Sequence, residues 1–332
     1  MIFKATVQMP SIDTYLSKKV PNPEQINCPL KYKLKLNFYG FLLELNFTHI
    51  EDFFHYKYYF NYFINKFSCI KSKLETNWIG DSGRQAFTKI LEDPQYFKEI
   101  QVIHNDHTFL YDKFNCQPFL PSLVPPLHLS PFCDQYIGFH GAVLAYDQKS
   151  ILIFGKSNSG KSTYSINLIL NGYKLLSDDI IIYDALNNQL LAFPRPIGIR
   201  EGTLKAYPRI KKLLNRKKFI RYQSINYSHL MISPEELFPD CIVDYVEPQA
   251  AIFINHISGK REALIDKVDK FSLEKLLRHF SYYYELNSQE NCKKIQLLLD
   301  KLTKVYIISL DIRLVNKQDL TELAHDILQS RT

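Results

Sequence analysis

Glycine is scarce in this chain, with eleven residues in 332, and closely spaced cysteines are absent. Cys28, Cys69, Cys116, Cys133, Cys241 and Cys292 stand far apart with no Cys-x-x-Cys among them. That removes zinc-ribbon and dithiol redox chemistry and predicts free thiols in a reducing compartment. The N-terminus, Met1-Ile2-Phe3-Lys4-Ala5, has no basic stretch leading into an apolar one. Nowhere do about eighteen apolar residues run together, the length a membrane-spanning helix needs. These absences predict a cytoplasmic protein with no export signal and no membrane partner. No internal repeat and no low-complexity tract is visible.

Apolar residues make up 46% of the chain and charged residues 23%, the balance of a globular protein with a core. The length suits roughly two domains of about 150 residues. The net charge of +7 is local: residues Lys205 to Arg221 carry eight basic side chains and no acidic one, and the remainder is nearly neutral. An evenly basic surface would point to nucleic acid, whereas one basic segment does not, so nucleic acid is not the expected partner. The segment can steer an acidic peptide, grip a nucleic acid or form a solvated helix face. Nothing in the sequence speaks against a homo-oligomer.

Apolar positions alternate from Tyr32 to Phe38 and again from Phe41 to Phe47, broken at Tyr39-Gly40, which predicts a β-hairpin. The aromatic-dense stretch from Phe53 to Phe67 reads as core rather than as a platform for bases. His104-Asn105-Asp106-His107 reads as a polar turn, having no third metal ligand at recognisable spacing. Pro118, Pro121, Pro125, Pro126 and Pro131 interrupt regular structure. They divide the chain into an N-terminal α+β accessory domain, 1–117, a Pro-rich linker, 118–131, and a larger domain, 132–332. In the larger domain Ala142–Tyr146 and Ser150–Phe154 predict an antiparallel strand pair, followed by a helix closed by Gly172 and by β structure from Lys174 to Tyr183. Further on, a helix around Leu273 to Phe280 with Ser272 as its cap, a strand Val305–Leu310 and a terminal helix through Leu320 to Leu328 are expected.

In a chain short of glycine, Gly155-Lys156-Ser157-Asn158-Ser159-Gly160-Lys161-Ser162 fits G-x-x-x-x-G-K-S, with a strand before it and a helix, beginning near Lys161-Ser162-Thr163, after it. Small residues let successive backbone N–H groups converge on phosphate oxygens at the positive end of the helix. Residues 155–163 are therefore the expected ATP site, with Lys161 at the β and γ phosphates and the Ser162 hydroxyl on Mg²⁺. Asp178-Asp179 follow sixteen residues after Ser162, the span of one helix and a return strand. In extended structure the two carboxylates would face opposite ways, one to the metal and one to an incoming hydroxyl. On spacing alone His140, two or three residues before the first strand of that pair and so at its far end from Asp147, is an ordinary structural histidine. Arg195 and Arg200, among Pro194 and Pro196, suit recognition of phosphate or carboxylate on a substrate, and an ordinary surface loop explains them equally.

Phe139-His140-Gly141-Ala142-Val143, then residues 155–162, then Gly172-Tyr173-Lys174-Leu175-Leu176-Ser177-Asp178-Asp179 together resemble the catalytic domain of HPr kinase/phosphorylase. Related kinases tailor peptides in bacterial biosynthetic clusters, lasso peptides among them. The likeness extends more weakly over most of the chain beyond residue 130. It implies an α/β fold with a phosphoenolpyruvate-carboxykinase-like mixed sheet. It also implies a nucleotide site at Lys161 and Ser162, the metal on Asp179, Asp178 as acid/base and His140 as an active-site histidine. Arg195 to Glu201 stands where the family carries a Glu-Ile-Arg-Gly-type run and reads differently, which implies an acceptor other than HPr. The resulting expectation is an ATP- and Mg²⁺-dependent kinase acting on Ser or Thr of a peptide or protein, such as a ribosomally made precursor. An ATP-binding regulatory module without phosphoryl transfer and a small-metabolite kinase share the same nucleotide residues.

Overall fold

A computed structural model describes residues 31–47, 50–64, 66, 72–80, 97–104, 107–112, 132–214, 217, 220–223, 228–260, 262–282, 288–311 and 317–329. The chain forms two compact units, one of residues 1–57, 63–125 and 285–287, the other of residues 58–62, 126–284 and 288–332. The Pro-rich stretch 118–131 lies outside the described residues. Among those residues no helix is long and apolar enough to cross a membrane.

The first unit is a five-stranded sheet. Its strands β1 (Tyr32–Phe38) and β2 (Phe41–Phe47) form the expected antiparallel hairpin, Tyr32 opposite Phe47 and Phe38 opposite Phe41. Tyr39 and Gly40 turn the chain at φ 56° and 100°, the positive-φ pair whose twist matches the flanking strands. The aromatic stretch forms a helix, α1 (Ile50–Tyr59), and a short 3₁₀ turn. Tyr56 packs on Phe47 and Phe63 on Phe38, with ring centroids 5.2 and 4.5 Å apart, so these rings are core. Strand β3 (Ser72–Gly80) runs parallel to β2, and β4 (Phe97–His104) and β5 (His107–Asp112) complete the sheet as an antiparallel pair with His104 opposite His107; Asn105 and Asp106 lie outside the described residues.

The second unit is a mixed α/β structure. Strands β6 (Tyr136–His140), β7 (Ala142–Tyr146), β8 (Lys149–Gly155), helix α2 (Lys161–Leu170), and strands β9 (Lys174–Ser177) and β10 (Ile180–Asp184) follow one another directly. They are followed by β11 (Gln189–Leu191), β12 (Ile197–Arg200), α3 (Glu201–Ala206), α4 (Pro208–Leu214), β13 (Ile220–Gln223), β14 (Ser228–Ile232) and β15 (Tyr245–Val246). The rest is β16 (Ala250–His256), β17 (Leu264–Lys267), α5 (Lys270–Phe280), α6 (Ser288–Lys301), β18 (Lys304–Leu310) and α7 (Lys317–Gln329). The main sheet has the order β17-β18-β16-β8-β7-β9. The β18, β16 and β8 strands are parallel to one another and the outer pairings are antiparallel. A second, antiparallel sheet has the order β15-β11-β10-β6.

Strand periodicity of two puts alternate residues of the main sheet into different cores. Ile151 and Ile153 of β8 and Ile252 of β16 join Tyr164, Ile166 and Leu168 of α2 and Ala324 and Ile327 of α7. Leu152, Phe154 and Phe253 join Phe139, Ile181 and the helices α5 and α6 on the opposite face. The α2 helix ends as expected at Gly172, φ 92°. Gly172 N donates to Ile169 O and Tyr173 N to Leu168 O, both at 3.1 Å, which satisfies the last carbonyls.

Two expectations are corrected and one is extended. Lys174–Tyr183 is not one β element: β9 lies in the main sheet and β10 in the second, with Asp178-Asp179 in the bend between, where Ser177 Oγ accepts from Ile180 N at 3.1 Å. His140 stands two residues before the hairpin strand β7, as expected, but it also ends a further strand, β6, from which the chain crosses from one sheet to the other at Gly141. The cap of α5 is Asp269, whose carboxylate accepts from Ser272 N at 2.9 Å while the Ser272 hydroxyl donates to it at 2.6 Å. A carboxylate is the stronger acceptor at a positive helix end.

Phe154 is fully buried and stacked on Phe253 at 4.8 Å. Phe154→Ala is expected to lower the unfolding free energy by about 3–5 kcal/mol, measured by urea denaturation; a loss within experimental error would contradict the packing described.

Candidate active site

The two places where the chain changes sheets lie side by side. Ile180 pairs with His140 across β10 and β6, and Gly141 N donates to Asp179 O at 3.1 Å. Only glycine fits at 141, because a Cβ there would stand 2.8 Å from both Ile153 O and Ile181 Cδ1. Forty residues of sequence separation thus disappear in the backbone pairing.

The loop 155–160 leads from β8 into α2 as its motif requires. Gly160, at φ 99°, begins the helix with no side chain capping it, so the first helical N–H groups are presented to an anion. Ser159 N donates to Lys156 O at 3.1 Å, and the buried Ser159 Oγ has no hydrogen-bond partner. Lys156, Ser157 and Asn158 are exposed, whereas Lys161 is buried, its Nζ donating to Gly155 O at 2.7 Å and Lys156 O at 3.1 Å. Burial lowers the Lys161 pKa, and the charges of Asp179 and Asp178 act against that. The Thr163 hydroxyl shares a 3.0 Å hydrogen bond with that of Thr203 on α3.

The two carboxylates diverge, as expected of neighbours, but from a bend. Asp178 is 7% exposed and faces the hydroxyls of Ser162 and Ser165. Its Oδ1 and the Ser165 Oγ have no hydrogen-bond partner. Asp179 has a partner on each oxygen: His140 Nδ1 lies 3.1 Å from Oδ1 and Arg195 Nη2 3.3 Å from Oδ2.

Arg195 was expected to offer its fork to a substrate. It is instead 5% exposed and engaged on Asp179 and on Tyr59, whose ring centroid lies 5.0 Å from its guanidinium carbon and whose hydroxyl accepts from Nη2 at 3.4 Å. The cause is the burial of residues 192–197 beside β9, where Phe193 N donates to Leu176 O at 2.9 Å. Arg200 stays exposed and bonds Asn158 Oδ1 of the loop. The sequence reading also passed over Tyr282, whose hydroxyl lies 3.3 Å from His140 Nδ1. Neither Tyr59 nor Tyr282 carries a local signal; Tyr59 belongs to the aromatic stretch read as core.

Burial pushes the Asp178 carboxyl up to about 7, with the negative charge of Asp179 adding to the rise and Ser162, Ser165 and Lys161 opposing it. Burial would also push Asp179 up, but the His140 hydrogen bond and the charges of Arg195, His140 and Lys161 hold it well below the carboxylate range. The consequences for stability have opposite signs. Asp179 contributes above its unfolded-state pKa, and that contribution is lost only in strongly acidic solution. Asp178 binds its proton more tightly in the fold than in the unfolded chain, so a destabilisation sets in as pH rises from about 4 and is complete above about 7. Asp178→Asn is therefore expected to raise stability at pH 8.5, by up to about 4 kcal/mol, and by clearly less at pH 5. Urea denaturation at both values checks this, and an equal difference at the two would contradict the assignment.

No family model matches the sequence, and no curated protein matches it. Among solved structures, the Hpr(Ser) kinase/phosphatase from Coxiella burnetii aligns with 18% identity over 58% of this chain and 93% of that one, at a TM-score of 0.30.

Proposed function

We propose that this protein is an ATP- and Mg²⁺-dependent phosphotransferase that moves a γ-phosphate to a hydroxyl, that of a serine or threonine in a peptide or protein. The observation that carries this reading is the convergence on one phosphate loop of Lys161, the Asp178-Asp179 pair and His140. A loop that only binds nucleotide needs the lysine but has no use for a histidine hydrogen-bonded to a second carboxylate.

The residues present suit a divalent cation. The Asp178 carboxylate faces the Ser162 side chain and has one buried oxygen, Oδ1, without a partner; Asp and Ser are donors that a hard cation retaining several waters takes in a phosphate loop. Bound there, Mg²⁺ would offset charge on the β and γ phosphates. Asp179, with both oxygens engaged, is the poorer ligand. This favours an exchange of the roles that the family resemblance implies, with Asp178 toward the metal and Asp179 toward the acceptor.

The loop amides and Lys161 hold the phosphates and stabilise charge on the transferring group. With Nδ1–H of His140 donated to Asp179, Nε2 is left as an acceptor. The acceptor oxygen bonds to the γ-phosphorus as its bond to the bridging oxygen breaks and ADP departs; the hydroxyl proton passes to Nε2. Most of the rate comes from positioning, since the proton moves late in a loose transition state.

Binding of a fluorescent ATP analogue, with Mg²⁺ and with EDTA, tests the nucleotide site without knowledge of the acceptor. Lys161→Ala is expected to weaken binding at least about tenfold. Asp178→Asn is expected to abolish the gain in affinity that Mg²⁺ gives the parent protein. Labelled ATP and a degenerate Ser/Thr peptide library test transfer, which His140→Gln should reduce at least about 100-fold with nucleotide affinity intact. A parent protein that binds no ATP would overturn the proposal.

A further inference from the structure

The reading above needs His140 in one particular protonation geometry, and that geometry has a cause deeper in the unit. The neutral imidazole carries its proton on either nitrogen, and the hydrogen bond at one fixes the other. Two groups meet Nδ1, Asp179 Oδ1 at 3.1 Å and the Tyr282 hydroxyl at 3.3 Å; the hydroxyl can donate or accept, whereas the ionised carboxylate only accepts, so Asp179 is the group that calls for a proton on Nδ1. The Asp179 side chain is 37% exposed and lies in a bend rather than a strand, so its partners rather than strand packing set its direction. What restrains its other oxygen is Arg195, 6% exposed, and what restrains Arg195 is Tyr59, 4% exposed.

Tyr59 comes from the short piece 58–62 that belongs to this unit, and its neighbours fasten that piece on both sides. Ser233 N donates to the Tyr58 hydroxyl at 3.0 Å, the Tyr62 hydroxyl donates to Asp244 Oδ1 at 2.7 Å, and Phe60 meets Phe193 edge-on at 6.3 Å. The Tyr59 ring therefore has little freedom. A cation held over a buried ring face and a hydroxyl oxygen is held more firmly than one in water.

We propose that Arg195 and Tyr59 are positioning residues for phosphoryl transfer, a clamp that fixes Asp179 against His140 Nδ1 and so keeps His140 Nε2 unprotonated and open to the acceptor hydroxyl. Neither residue touches a substrate. The inference rests on the kinase reading for its purpose, but the clamp itself has a signature that needs neither nucleotide nor acceptor.

The test is a two-bond ¹H–¹⁵N correlation spectrum of the full chain, labelled at its ten histidines, recorded at pH 8, with the His140 signals identified by their loss in His140→Gln. The parent is expected to show His140 protonated at Nδ1, and Tyr59→Phe, which keeps the ring, is expected to retain that pattern. Arg195→Lys, which loses the fork, and Tyr59→Leu, which loses the ring, should each move more than half of the His140 population to the Nε2-protonated form common in solution. Unchanged signals from the other nine histidines report that each variant is folded, and Arg195→Lys carries the test alone should Tyr59→Leu misfold. A His140 pattern that stays the same in the folded variants, or that is already Nε2-protonated in the parent, overturns the clamp. Binding of the fluorescent ATP analogue by the same samples separates the two ideas: absence of binding with the expected tautomer change sinks the kinase reading and leaves the clamp standing.

Discussion

Two adjacent carboxylates in a bend, one of them almost wholly out of water, set the terms for everything around them. Asp178 and Asp179 repel one another and both face Lys161. The fold resolves the repulsion by giving them unequal company. Asp179 receives a histidine and an arginine and stays charged, while Asp178 is left among hydroxyls with a strong hold on its proton. A cation bound beside Asp178, as proposed, would displace that proton, coupling metal binding to proton release. Under the proposed phosphoryl transfer, the same asymmetry assigns Asp178 to the phosphate side and Asp179 to the acceptor side.

The scaffold supplies this asymmetry through its seam between two sheets. β6 and β10 belong to the second sheet, β7 and β9 to the main sheet, and the crossing points fall at Gly141 and at Asp178-Asp179. Residues within a strand alternate sides and are committed to one core or the other. Residues at a crossing are free of that alternation, which lets neighbouring side chains turn toward the helix α2 on one side and toward His140 on the other. The loop 155–160 opens at the same edge because β8 lies between β16 and β7 in the main sheet.

Much of this was legible along the chain because its signals are local. The two hairpins are written in alternation and short turns, the phosphate loop in its spacing, and the end of α2 in a single glycine. The second sheet was not legible as such: Ile180-Ile181-Ile182 looks like a continuation of Lys174–Ser177, since a run of apolar residues does not say which sheet it enters. Arg195 reads as a surface arginine between prolines, and only its encounter with Tyr59, 136 residues earlier, makes it an interior one. The distinct environments of Asp178 and Asp179 follow from such long-range contacts and from burial, neither of which a dipeptide carries. The cap of α5 was missed for a smaller reason, a choice between Asp269 and Ser272 in which both take part.

The crowding at residue 141 limits how this site can vary. One added methyl at Gly141 would press on a carbonyl of β8 and a side chain of β10 together. Such a wedge would prise apart the backbone pairing that holds His140 next to Asp179 while leaving the nucleotide cradle on the neighbouring strand largely in place. The seam between the sheets is therefore fixed at this position by the lack of room for any side chain.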